Sequence, residues 1–482
     1  MKNQKLTRRE FMRLSAITAA GITLAACAPA ATPAPPAAPP TPVPSTAVPP
    51  TVPPTPVPST AVPPTVAPTA APPVTLSFWN MPFVTQEVSP AYVTQWQSAV
   101  VKALPNVKVD PFFGPGDYGT LRQKYLLQSK SGTPDVIEGL LEDLAVYVKQ
   151  GLVEPLDDRF NAWADKSQFV SATLTPLTIN GKLYAIPYNT NARGLIYRKD
   201  ILDQYGLKVP TTWPEMLTVA RTITQKSNKQ VFGFFVCTLV GDPRAPQEFI
   251  SWYFQVSGGK DMFDVSGTAP KLAATADQLE QVLSLYNDLF TGDFPACDPN
   301  QRGTGWPVED PGFAAGKWAM APMGPWLWGR RSESATAKDI LENKSVVTQL
   351  PIPEGGAHKT YLEVKPIAMN SASKNKDAAW ELIKFICSKD EMGMWDADSG
   401  GIPARRDSLT IDAFTKSPIL PWVQMFSKLL DQGVALSPVN WGPVNDANMK
   451  AVNYVIYGQK SPKDAAAWLV DQIHQMETNK TL

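Results

Sequence analysis

The chain has 482 residues, with 44 basic and 44 acidic side chains, 48 prolines, four cysteines and two histidines. That length exceeds one ordinary domain and implies two domains or one large two-lobed body. Zero net charge without Lys/Arg runs argues against a nucleic-acid partner, and His358 and His474 alone leave little for a zinc site or a histidine triad.

The first 27 residues read as an export leader. Lys2, Lys5, Arg8, Arg9 and Arg13 make a basic start, and the apolar stretch from Leu14 to Ala26 is too short for a bilayer, which needs about 20 residues. Thr7 to Arg13 resembles a twin-arginine signal. Leu24-Ala25-Ala26-Cys27 resembles a lipobox, in which Cys27 is diacylated and becomes the new N-terminus. Residues 28–73 hold 19 prolines and no charge, and TPVPSTAVPPTV occurs there twice, at 41–52 and 55–66. Such a segment has nothing to bury and is expected to be a disordered tether reaching about 140 Å as polyproline. The whole is expected to be exported and lipid-anchored on the outer face of the cytoplasmic membrane.

The body, 74–482, carries 39 basic and 43 acidic residues, a net charge of about −4, and all 14 tryptophans. Cys237, Cys297 and Cys387 leave both a Cys237–Cys297 bridge and three buried thiols open. Val74, Leu76 and Phe78 alternate with Thr75, Ser77 and Trp79 and predict a first strand. Further strands are expected at 107–109, 135–137, 194–197, 317–321 and 365–369. Thr212-Trp213-Pro214-Glu215 and Thr275-Ala276-Asp277-Gln278 are capping boxes that open helices. A helix is striped by Ala379, Leu382, Ile383 and Ile386, and Ser461-Pro462 starts the last one. This alternation predicts an α/β fold with mostly parallel strands.

Nine short runs spread over the body carry a resemblance. They are Phe78-Trp79-Asn80; Ser131 to Ile137 (SGTPDVI); Asn180 to Tyr188 (NGKLYAIPY); Leu195 to Asp200 (LIYRKD); Thr212 to Glu215; Phe313 to Met320 (FAAGKWAM); Gly324 to Trp328 (GPWLW); Ser373 to Lys376; and Gly400 to Pro403. In this order they resemble the extracellular solute-binding proteins of bacterial ABC importers, in the sugar-binding family that includes maltodextrin-binding protein. The resemblance implies a type II periplasmic-binding-protein-like α/β fold, two lobes around a ligand cleft, with hinge crossings near 188–193, 350–353 and 398–403. Lobe one would be about 74–188 and 354–398, and lobe two about 189–350 and 404–482. It further implies a non-enzymatic monomer that closes on its solute and delivers it to an ABC permease. A binding protein for glycerol phosphate, a polyol or a peptide, and a surface glycoside hydrolase, are the alternative readings; a phosphate-bearing ligand would want clustered arginine, and only Arg193, Arg405 and Arg406 lie near the expected crossings.

A sugar asks for flat apolar faces and planar polar groups. Trp79 and Asn80 end the first strand, and Trp326 lies in the run where the family places a stacking aromatic. Glu138, Glu142 and Asp143 follow the 135–137 strand, Tyr188 and Asn191 mark the first crossing, and Asn191 stands where maltodextrin binders often carry a carboxylate. Gln247, Phe249 and Trp252 resemble the start of the family's cleft helix, and Trp441 and Asn445 precede a late one. For the aromatics core packing competes with ligand stacking. No phosphate-loop, dinucleotide, nucleophile-elbow, C-x-x-C or H-E-x-x-H motif occurs, so no cofactor or metal is expected.

Overall fold

The computed structural model describes residues 73–80, 89–112 and 118–482. The leader with Cys27 and nearly all of the tether lie outside them. The described residues pack as one compact unit.

Strand β1 (Val74–Trp79) runs parallel to β2 (Val107–Phe112) on one side and β3 (Val136–Glu138) on the other. Helix α1 (Pro90–Ala103) makes the first crossover, and α2 (Tyr118–Gln128) and α3 (Leu141–Lys149) follow in the same lobe; the Ser89 hydroxyl caps α1 by accepting from the Tyr92 amide. The reason for the SGTPDVI run lies in Asp135. Its carboxylate accepts from the Ser77 amide and hydroxyl at 2.9 Å and from the Ser373 hydroxyl at 2.6 Å, joining β1 to the start of a distant helix. Asn180 and Gly181 both take positive φ, as a tight hairpin between Thr178–Ile179 and Lys182–Leu183 requires.

The chain then makes β4 (Ala185–Ala192), β5 (Gly194–Arg198), β6 (Met320–Met323), β7 (Ser345–Thr348), β8 (Thr360–Met369), β9 (Ile402–Pro403) and β10 (Gly433–Val434). The seven-stranded sheet has the order β9-β4-β8-β3-β1-β2, with β10 against β8, and a three-stranded sheet has the order β6-β5-β7. The expectation of mostly parallel strands is corrected. Only the β1/β2, β1/β3 and β8/β10 pairs are parallel; β8 is antiparallel to β3 and β4, β9 to β4, and the second sheet is wholly antiparallel. The cause is the crossing itself: β4 leaves one lobe and β8 returns to it, so the two pair in opposite directions.

Two hydrophobic cores flank that crossing. One gathers Leu76, Phe78, Trp96, Tyr125, Ile137 and Ile383, the other Ile196, Val219, Trp252, Leu283, Tyr286 and Leu469. Every residue of β4 and β8 is buried. Along β4, Ile186 and Tyr188 belong to the first core and Ala192 to the second; along β8, Tyr361 belongs to the second and Leu362 to the first. The β4/β8 register shifts between Lys365 and Pro366, and Pro366 stands opposite Pro187.

In lobe two, α4 (Trp213–Lys226) and α6 (Ala276–Phe290) both form the capping boxes expected of them. Between them lies α5 (Arg244–Ser257), and α7 (Trp306–Ala314) follows. Helices α8 (Lys376–Ile386) and α9 (Lys389–Ser399) complete lobe one, while α10 (Leu420–Leu429), α11 (Trp441–Ile456) and α12 (Pro462–Thr478) return to lobe two. Cys237, Cys297 and Cys387 are all buried free thiols, so the Cys237–Cys297 bridge is not formed. Among the described residues no helix is long and apolar enough to cross a membrane.

Candidate solute-binding site

Parallel strands open their C-terminal ends to ligands, and β1 and β3 end at the buried Asn80 and Glu138. Just beyond β3, the first turn of the helix Leu141–Lys149 carries Glu142 and Asp143, both buried. The Asp143 carboxylate accepts from Arg122 at 3.1 Å. Glu142 reaches across to lobe two, where Gln247 in the first turns of α5 donates its amide to Oε1 at 2.8 Å. Gln247 in turn accepts from Arg193, which sits between β4 and β5.

Arg193 is the centre of the constellation. It is 1 % exposed, and its guanidinium lies 3.5 Å from the Glu363 carboxylate on β8. Asn191 donates to Glu363 at 3.2 Å and to Asn189 at 2.9 Å, and Asn189 donates to Asp396 on α9 at 2.5 Å. Against this chain stands Trp326. The guanidinium carbons of Arg193 and Arg244 each lie 4.4 Å from the centroid of its ring, a cation–π arrangement. Close approach forces glycine at two places: a Cβ on Gly324 would fall 1.8 Å from the Trp326 ring, and one on Gly401 would fall 1.9 Å from the Asn189 amide.

Electrostatics divide these carboxyls. Burial, then the nearby Glu363, pushes Glu142 up to about 7. Burial raises Asp143, against the pull of Arg122, and raises Asp396 well above the usual carboxylate range. Burial also acts on Glu363, but Arg193, Lys365 and the Asn191 amide outweigh it and hold that group low. An outer pocket with a cavity volume of about 70 Å³ is lined from both lobes by Arg122, Glu142, Asp143, Asp242 and Asn445. An inner cavity of about 10 Å³, no larger than one water needs, is lined by Tyr188, Asn189, Asn191, Trp326, Lys365 and Trp395. The Glu142–Gln247–Arg193 chain links the two.

The model of the bacterial extracellular solute-binding protein family matches residues 89–393, more than half of the chain. The chain belongs to that family. Proteins of this kind are binding proteins of ABC transporters and not enzymes, which removes the glycoside-hydrolase reading, and membership makes this an exported protein. A Brucella abortus protein, described only as a binding protein, is 27 % identical over 352 residues, 70 % of this chain and 80 % of its own. The lactose-binding protein of Rhizobium radiobacter is 26 % identical over 281 residues, 53 % of this chain and 57 % of its own. Among solved structures, maltose-bound MalE3 of T. maritima superposes with a TM-score of 0.71 at 21 % identity, covering 84 % of this chain and all of its own. That likeness establishes the two-lobed fold.

In this solute-binding protein Asn80, Glu138, Glu142, Asp143, Tyr188, Asn191, Trp326 and Asn445 sit at strand ends, on the crossing strands or along the two pockets, and Gln247 joins Glu142 to Arg193 from α5. The remaining aromatics sit elsewhere. Trp79 belongs to the lobe-one core. Phe249 stacks on Tyr286 with centroids 6.1 Å apart, Trp252 meets Trp213 edge-on at 6.0 Å, and Trp441 meets Phe263 at 5.3 Å. Helical geometry explains α5: two residues beyond Gln247, Phe249 is turned about 200° away from it. Ser251, one turn on, stays with Gln247 and accepts from the Tyr361 amide at 3.2 Å.

Sequence reasoning passed over Asn189, Arg244, Tyr361, Glu363 and Lys365, and it noted Arg193 only as a cation near a crossing. One signal was present. Glu363 and Lys365 occupy alternate positions of an otherwise apolar strand, so they share one face of it, and two charges on one face of a buried strand need a polar partner. Arg244 carries no comparable signal.

Proposed function

We propose that this protein is a lipid-anchored receptor that binds a sugar or oligosaccharide between its lobes and delivers it to an ABC permease. The observation that carries the reading is a set of buried polar atoms without partners around the crossing strands: Glu142 Oε2 from lobe one, Asn191 Oδ1 from β4 and Trp326 Nε1 from lobe two. Buried polar groups are ordinarily satisfied. A ligand bearing several hydroxyls, each both donor and acceptor, serves two acceptors and one donor together. The lactose-binding and arabinooligosaccharide-binding relatives support a saccharide. The lipobox at Cys27 and the charge-free tether support anchoring outside the membrane.

The test is a thermal-shift screen against mono- and oligosaccharides, polyols, sugar phosphates and short peptides. A ligand at 100 times its Kd stabilises the fold by about 2.7 kcal/mol. A saccharide hit that is lost in Trp326→Ala, with the apo melting temperature kept, is the expected result. Stabilisation by phosphates or peptides alone overturns the sugar while leaving a solute receptor. Globomycin-sensitive processing, abolished in Cys27→Ala, checks the anchor.

A further inference from the structure

Behind the lobe-two wall of the cleft lies a second cluster with no role in solute binding. Cys237, Glu248 on α5 and Glu309 on α7 are each 0 % exposed, and one ligand atom from each lies within 4.8 Å of the others. The Cys237 thiol is 3.2 Å from Glu309 Oε2, and the Cys237 amide donates to Glu248 Oε2 at 2.8 Å. Each carboxylate keeps a second oxygen, Oε1, that is buried and has no partner.

Nearby cations do not resolve this. Arg244 reaches Glu309 Oε2 at 3.3 Å, but it is shared with Asp310, which Arg330 also approaches at 3.6 Å. Among the described residues no cationic side chain forms a salt bridge with Glu248. Two buried carboxylates side by side, one of them unpaired, cost several kcal/mol unless something neutralises them. A cation would satisfy both oxygens at once, and a thiolate with two carboxylates from three separate elements is a donor set suited to a thiophilic divalent ion with one open position.

We infer that Cys237, Glu248 and Glu309 form a buried structural site for a zinc-type divalent cation. Binding exchanges the thiol proton for the metal, so the ion enters as the chain folds, since all three donors are closed to solvent in the folded state. The site stands one residue behind Trp326, through the Arg244 guanidinium that touches both Glu309 and the indole. It is independent of which solute the cleft takes.

The test uses the purified protein, unfolded with chelator and refolded with or without equimolar Zn2+ or Co2+. Expected are about one zinc per chain by elemental analysis and a melting temperature several degrees above the metal-free form. The cobalt form should show the near-ultraviolet thiolate charge-transfer band. Cys237→Ser should abolish that band, and Glu248→Gln, which keeps the shape of its side chain, should weaken zinc binding by about 10-fold or more. Should the serine variant not fold, the glutamine variant carries the test on the same band and metal content. A chain that refolds without metal and melts at the same temperature with and without Zn2+ overturns the inference, as does equal zinc retention in both variants.

Discussion

The two walls of the cleft solve the burial of charge in opposite ways. Lobe one presents carboxyls, with Glu142 pushed up to about 7 and one of its oxygens unpartnered. Lobe two presents guanidiniums: Arg244 pairs with Glu309, Asp310 and the Trp326 ring, while Arg193 meets Gln247, Glu363 and the same ring yet keeps Nε and Nη1 buried without a hydrogen-bond partner. A planar delocalised cation can use its edge for carboxylates and its face for an indole, so it tolerates a dry site. A carboxylate has only its oxygens. The difference teaches that the Arg244 side of the lobe-two wall is preassembled, whereas Glu142, with Arg193 and the Trp326 indole opposite it, holds unused hydrogen-bonding capacity for a ligand.

The sharpest way to break this comparison is to remove its centre. Arg193→Met leaves Glu363 buried without its guanidinium, and the expected loss is about 3–5 kcal/mol in urea unfolding. Glu363→Gln in the same background should recover much of it; a loss below about 1 kcal/mol would show that the lobe-two wall does not depend on the pair.

The next effect concerns the other wall. Glu142 faces Glu363, Asp143, Gln247 and Tyr361, and its carboxyl holds its proton up to about 7 against an ordinary 4.5. The folded state therefore binds that proton more tightly than the unfolded state. The stability from it is full below about 4.5 and is lost as pH rises through 7, on the order of 3 kcal/mol. Glu142→Gln should flatten this part of the stability profile, and an unchanged slope would remove the contrast between the walls.

Smaller changes sharpen the comparison. Trp326→Ala should weaken solute binding by about 10- to 100-fold, or 1.4–2.7 kcal/mol, by calorimetry. Thr212→Ala, far from both walls, removes the cap of α4 and should lower stability by about 1 kcal/mol while leaving solute affinity unchanged.

What could be read from the residues was local. The alternation of Val74, Leu76 and Phe78, the two capping boxes and Pro462 behind Ser461 each act within a few residues, and each formed as expected. The runs from Phe78 to Pro403 reached further, to the two-lobed body, because the pieces of a large fold stand in a fixed order. The pairing of β4 with β8 was hidden, since it joins segments about 170 residues apart and depends on the direction in which the chain returns. The aromatics divided for a related reason. Phe249 and Gln247 are neighbours in the chain and point to different sides of α5, and nothing in their spacing says which side meets the cleft.

The facing prolines of the crossing ribbon have a consequence for its ladder. Pro366 and Pro187 each lack an amide proton, so neither can donate a ladder hydrogen bond where the register slips. The slip therefore falls where two imino acids face each other, along a ribbon that both hydrophobic cores share.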